Sequence, residues 1–134
     1  MRFPLNPDAT NTHHRPLAVE SGTPLLDVFR VESVREIMGD GFAEIVGAFI
    51  SSLPTTLAEL RHTLAQGELE TLGNTAHGLK GSAGNMGAIA LTELAKRLEM
   101  AGKSKNAAEA QALMTQMEGE MQRAADAFQT LVGN

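Results

Sequence analysis

His77 and Lys80 stand three residues apart in a stretch, Thr75 to Ala88, that is otherwise built of small and apolar residues with one Asn. An imidazole can take up a transferred group at nitrogen. A lysine one helical turn away disfavours the protonated ring and offers an anion a point charge. Phosphoryl transfer asks chiefly for positioning and for neutralisation of charge, so a nucleophilic His beside a cation, with free approach, has what a phosphoryl acceptor requires. Gly73, Gly78, Gly81 and Gly84 surround the pair. In a helix each costs roughly 0.5–1 kcal/mol relative to Ala, about 2–4 kcal/mol together, in a domain whose whole stability is on the order of 5–15 kcal/mol. A surface kept so bare implies close approach by a second protein.

The element that must carry these residues is a helix over about residues 68–85. Leu69, Leu72, Ala76, Leu79, Ala83 and Met86 step by three and four along it, which makes a bundle seam. At 100° per residue His77 points about 130° away from the centre of that seam, toward solvent. Gly73, Gly81 and Gly84 project with it, so they form the expected open face, and Lys80 lies on the same side. Before this helix the spacing predicts one over Phe42–Ala65, with Val46, Phe49, Leu53, Leu57, Leu60 and Leu64 on one stripe and a bend at Pro54. Ile50, Ser51 and Pro54 are expected on its outer side, where a partner docked at His77 would also touch. Two more helices follow, over about 88–101 and 106–132. The first stops at Gly102, with Lys103 and Lys105 beside its negative dipole end. The second carries Leu113, Met117, Met121, Ala124, Phe128 and Leu131 inward, and Met114, Met117 and Met121 read as core fill. A short element over Leu25–Met38 precedes all four. The fold class is all-α: an antiparallel up-down-up-down four-helix bundle with a short additional N-terminal helix. Residues 1–23 hold Pro4, Pro7 and Pro16 without periodicity and read as a flexible tail, leaving residues 24–134 for the bundle. His13 and His14 fall in that tail as solvated residues.

Composition narrows the function. The chain has 134 residues, enough for one domain, and 43% of them are hydrophobic, enough for a core that must be aliphatic because Trp and Tyr are absent. A net charge of −5 opposes phosphate-backbone attraction, and no aromatic platform exists for stacking bases, so nucleic acid is excluded as a partner. Without Cys there are no disulfides, thiolate metal sites or thiol nucleophiles. No run approaches the roughly 18 apolar residues of a membrane span and no apolar stretch follows Arg2, so a cytoplasmic chain is expected.

Thr75-Ala76-His77-Gly78-Leu79-Lys80-Gly81-Ser82-Ala83-Gly84-Asn85-Met86-Gly87-Ala88 resembles the signature of the histidine-containing phosphotransfer (HPt) domain, A-H-x-L-K-G-S/A-A-x-x-x-G-A. The likeness extends more weakly over about Leu25–Leu131, including the pair Leu98-Glu99. The resemblance implies a bundle that accepts a phosphoryl group from the aspartyl phosphate of one receiver domain and passes it to the Asp of another. His77 would be the phosphorylated residue, Lys80 the phosphate-side lysine and Gly81 the clearance for the receiver, with Gly73, Ser82 and Gly84 completing the binding face. The receiver supplies the carboxylates and Mg²⁺, so no cofactor or metal is expected in this chain, which would act as a monomeric carrier without kinase activity. The phosphotransfer domains of chemotaxis kinases share the pattern and remain an alternative. A di-iron bundle would need two Glu-x-x-His motifs. Glu59-Leu60-Arg61-His62 offers one, but Asn74 stands where the second would need Glu. A purely structural or adaptor bundle leaves the glycines unexplained, and a histidine kinase would need a nucleotide-binding glycine box that is missing.

Overall fold

The computed structural model describes residues 23–133, so the expected tail, apart from Thr23, lies outside the described residues together with His13 and His14. Five α-helices and one short 3₁₀ turn make up the rest, and no strand occurs among the described residues. They are α1 (Val28–Met38), α2 (Phe42–Ala65), α3 (Leu69–Met86), α4 (Ile89–Lys103) and α5 (Ala107–Gly133), with the 3₁₀ turn Gly39–Gly41 between the first two. Helices α2 to α5 form the bundle: each packs on the next, and α2 closes the ring against α5. The periodic stripes place the helices to within about three residues, and α2 runs unbroken through Pro54.

The core is aliphatic, as the composition requires. Leu53, Leu60, Leu72, Leu91, Leu98, Leu113, Met117, Met121 and Phe128 are fully buried, and the Phe49 and Phe128 rings meet edge-on with centroids 5.8 Å apart. Met114 is buried with its neighbours, as core fill. By length and composition Val28–Ala65 contains a window apolar enough to cross a membrane, which corrects the expectation that no run approaches that length. In the bundle Val46, Phe49, Leu53, Leu57 and Leu60 spend that apolarity on the core. Ile50 also turns inward and is 5% exposed, which corrects its expected place on the outer side of α2. Val46, Ile50 and Leu53 step by four and three, so the buried face is wider than the single stripe implied.

Helix α1 is capped by Asp27, whose carboxylate accepts from the Arg30 amide at 3.1 Å. It seals the end of α3, where Arg30 Nε donates to the Asn85 carbonyl at 3.1 Å and the Asp27 amide donates to the Gly87 carbonyl at 2.7 Å. Gly87 ends α3 with φ +82°, and the Ala88 amide reaches back to the Ala83 carbonyl at 2.9 Å. A Cβ at Gly87 would also lie 3.2 Å from both Arg30 and Val31, so glycine serves the turn and the contact at once.

Candidate functional site

His77 stands near the middle of α3 on the side away from the seam, its side chain 65% exposed. The seam residues Leu72, Ala76, Leu79, Ala83 and Met86 are all buried behind it, as the spacing requires. Around the ring the helix is bare. A Cβ at Gly78 or Gly81 would meet nothing within 4 Å, and one at Gly84 would touch only the Thr92 side chain at 3.8 Å. Ser82 is exposed, and its hydroxyl donates to the Leu79 carbonyl at 3.3 Å. Ser51 on α2 is exposed and Pro54 half-buried. His62 is exposed near the end of α2.

Gly73 departs from the expected open face. It is buried, and a Cβ there would lie 3.4 Å from the Glu99 carbonyl and 3.6 Å from Gly102. Gly73 lies only about 40° around the helix from His77. That small rotation, one turn earlier, carries it under α4, so it is covered by the neighbouring helix and forms no part of the open face.

The residue that organises the site is Glu99 on α4. Its side chain is 6% exposed, yet three basic groups converge on it. His77 Nδ1 and Lys103 Nζ each lie 2.9 Å from Oε2, and Lys80 Nζ lies 2.8 Å from Oε1. The Lys80 ammonium, then that of Lys103, then the bond to His77 hold the Glu99 carboxyl down to about 2, against the upward push of burial. An ionised carboxylate only accepts hydrogen bonds, so His77 Nδ1 carries the proton that it donates. In a neutral ring Nε2 then keeps its lone pair. Lys80 and the imidazole therefore meet on a shared carboxylate, a link through Glu99 that the spacing along α3 does not show. A signal for Glu99 was present: it follows Leu91 by eight residues and Ala95 by four, which puts a carboxylate on an apolar helical face.

A cavity of about 290 Å³ lies elsewhere, lined by Arg61, Leu64, Ala65, Gln111, Met114 and Thr115. The His77 site is an open surface, which suits a macromolecular partner more than an enclosed small molecule.

The site is thus an exposed His, bonded through Nδ1 to a buried carboxylate, beside open glycines on a four-helix bundle. The Hpt domain family matches residues 44–127, and the chain belongs to that family of histidine phosphotransfer domains in phosphorelays, which carry phosphoryl groups and are not kinases. Two solved structures share the architecture. The histidine-containing phosphotransfer protein B of Pseudomonas aeruginosa is 32% identical, with a TM-score of 0.77, over 80% of this chain and 93% of that one. A rice protein assigned to the histidine-containing phosphotransfer proteins is 17% identical, with a TM-score of 0.74 over 94% and 91%, and shows the likeness of fold. No curated protein sequence matches the chain.

Proposed function

We propose that His77 Nε2 accepts a phosphoryl group from the aspartyl phosphate of one receiver domain and delivers it to the Asp of another. The observation that carries this reading is the engagement of Nδ1 by Glu99 on an exposed ring, which leaves Nε2 as the nucleophile. In the forward step the P–Nε2 bond forms as the bond from phosphorus to the aspartyl oxygen breaks, and the Asp departs as a carboxylate. The ring gains positive character as Nε2 attacks, and the Nδ1–H bond to the Glu99 carboxylate stabilises it. Delivery to the second receiver is the reverse sequence. Lys80 is the cation nearest the ring on its own helix and is the phosphate-side lysine of this reading. Gly78, Gly81 and Gly84 leave the receiver room to bring its acidic pocket and Mg²⁺ over the ring, with Ser82 at the border of the contact. Residues 24–134 act as the phosphotransfer unit, as a monomer in the cytoplasm, with residues 1–23 outside it.

The test is incubation with a panel of phosphorylated receivers, following which receiver loses label to this chain. Acid-labile label on His77, and none on a His77→Gln variant, is the expected result. Label that persists in His77→Gln or falls on His62 would overturn the assignment. ATP and Mg²⁺ alone should give no label.

A further inference from the structure

Lys103 ends α4, where the sequence assigns it to the helix dipole. The structure gives it a second engagement. Its Nζ lies 2.9 Å from Glu99 Oε2, the same oxygen that takes His77 Nδ1, although its side chain is 64% exposed. Carboxylates on surface helices are often paired at i and i+4, and such a pair alone contributes little. Here the carboxylate is almost covered, and its other contacts are an imidazole and a second ammonium, both contributed by α3.

Oε2 therefore serves two partners at once. It accepts from Nδ1, which holds the ring and fixes its tautomer, and it takes the Lys103 ammonium. A proton at Nε2 removes the lone pair that attacks phosphorus. Lys80 neutralises Oε1, while Lys103 acts at the oxygen that faces His77.

We propose that Lys103 is a positioning residue for phosphotransfer, which by sharing Oε2 with His77 keeps the Glu99 carboxylate on Nδ1 while leaving Nε2 unprotonated. This rests on the reading of His77 as the acceptor. Without the Lys103 ammonium the carboxylate is held by Lys80 at Oε1 alone, and Oε2 is free to turn away from the ring. Nδ1 then loses its acceptor and the proton is free to pass to Nε2.

The experiment reads the nitrogen chemical shifts of the His77 ring by NMR near neutral pH, with the transfer rate from a phosphorylated receiver beside it. Lys103→Met should move the Nε2 signal toward the protonated position and slow acceptance by about fivefold or more. Lys103→Arg should restore both to within about twofold, since a guanidinium can occupy the same oxygen. Lys105→Met, two residues on and outside the Glu99 cluster, should match the wild type in both readouts. A Lys103→Met protein with a wild-type Nε2 signal would overturn the proposal, even with a lowered melting temperature, because the residue would then serve only the helix end. Failure of Lys103→Arg to recover the signal would also overturn it. A wild type that takes no label from any receiver refutes the acceptor reading instead, and the ring signals still decide the role of Lys103.

Discussion

Gly102 crosses Gly73 with no room for a side chain of its own: a Cβ on Gly102 would stand 2.8 Å from the Gly73 Cα and 2.7 Å from the Leu69 carbonyl oxygen. These are backbone atoms and cannot turn aside. The crossing sits one turn before His77 on α3 and one turn after Glu99 on α4, so the closeness of the two backbones there brings the carboxylate within 2.9 Å of the imidazole. Gly102→Ala should therefore destabilise the bundle despite the higher helix propensity of Ala. Overpacking costs about 1–3 kcal/mol and propensity returns up to about 1, for a net loss of about 1–2 kcal/mol or roughly 5–10 °C in Tm. Gly73→Ala meets only ordinary contacts of 3.4–3.6 Å and should melt close to the wild type. Thermal melts of the two variants check the asymmetry, and equal losses would show that the crossing relaxes.

The parts of this arrangement that lie within one helix are legible in the sequence. His77, the seam behind it and the open Gly81 and Gly84 follow from angles along α3, because a period of 3.6 fixes direction. What passes between helices is not local. Gly73 has no side chain to declare a direction, and its burial depends on where α4 crosses. Ile50 lies beside the single apolar stripe of α2, and its burial depends on neighbouring helices covering a broader face than that stripe. Glu99 stood among the apolar positions of α4, yet its partners His77 and Lys80 lie about twenty residues earlier in the chain, beyond any helical spacing.

Glu99 also predicts how the fold responds to acid. Its carboxyl is held at about 2 against an ordinary 4.5, first by Lys80 and then by Lys103, so between those values the folded chain binds fewer protons than the unfolded one. The resulting stability is complete above about pH 4.5 and is lost as pH falls toward 2. With solvent screening at the exposed Lys103, a contribution on the order of 1–2 kcal/mol is expected. Chemical denaturation of wild type and Glu99→Gln from pH 6 to pH 2.5 should give curves that converge as the pH falls, on the order of the window set by the two carboxyl values. A constant gap between them would mean that the carboxylate charge contributes nothing.

The same carboxylate should matter to transfer in a graded way. Glu99→Gln keeps an oxygen that can accept from Nδ1, whereas Glu99→Ala removes the acceptor and leaves Lys80 and Lys103 without it. A hydrogen bond to a charged group is worth about 1.5–3 kcal/mol, so Glu99→Ala should slow acceptance at His77 by about tenfold or more. Glu99→Gln should fall between it and the wild type. Single-turnover transfer from one phosphorylated receiver measures the order, and an alanine variant as fast as the wild type would remove Glu99 from the mechanism.

Gly81 separates fold from function. It follows His77 by one turn, and a Cβ there meets nothing within 4 Å, so a side chain at this position has space in the isolated protein and a helical backbone that accepts it. On stability alone Gly81→Gln should be neutral or favourable, because replacing a helical glycine typically returns up to about 1 kcal/mol. On function it should be costly. The long side chain would stand beside the imidazole, in the space through which a receiver must bring its aspartyl phosphate. Transfer demands that the reacting atoms approach to about 3–3.5 Å, and a partner held back by a side chain cannot reach that distance without displacing it. Acceptance should fall by at least about tenfold, equivalent to roughly 1.4 kcal/mol of transition-state stabilisation, while the melting temperature holds or rises. A small phosphodonor such as phosphoramidate, which needs no docking surface, should label His77 in Gly81→Gln about as well as in the wild type. That pairing distinguishes a blocked partner from a damaged nucleophile. Full activity with receivers would make the bare face incidental, and loss with both donors would place the fault at the imidazole itself.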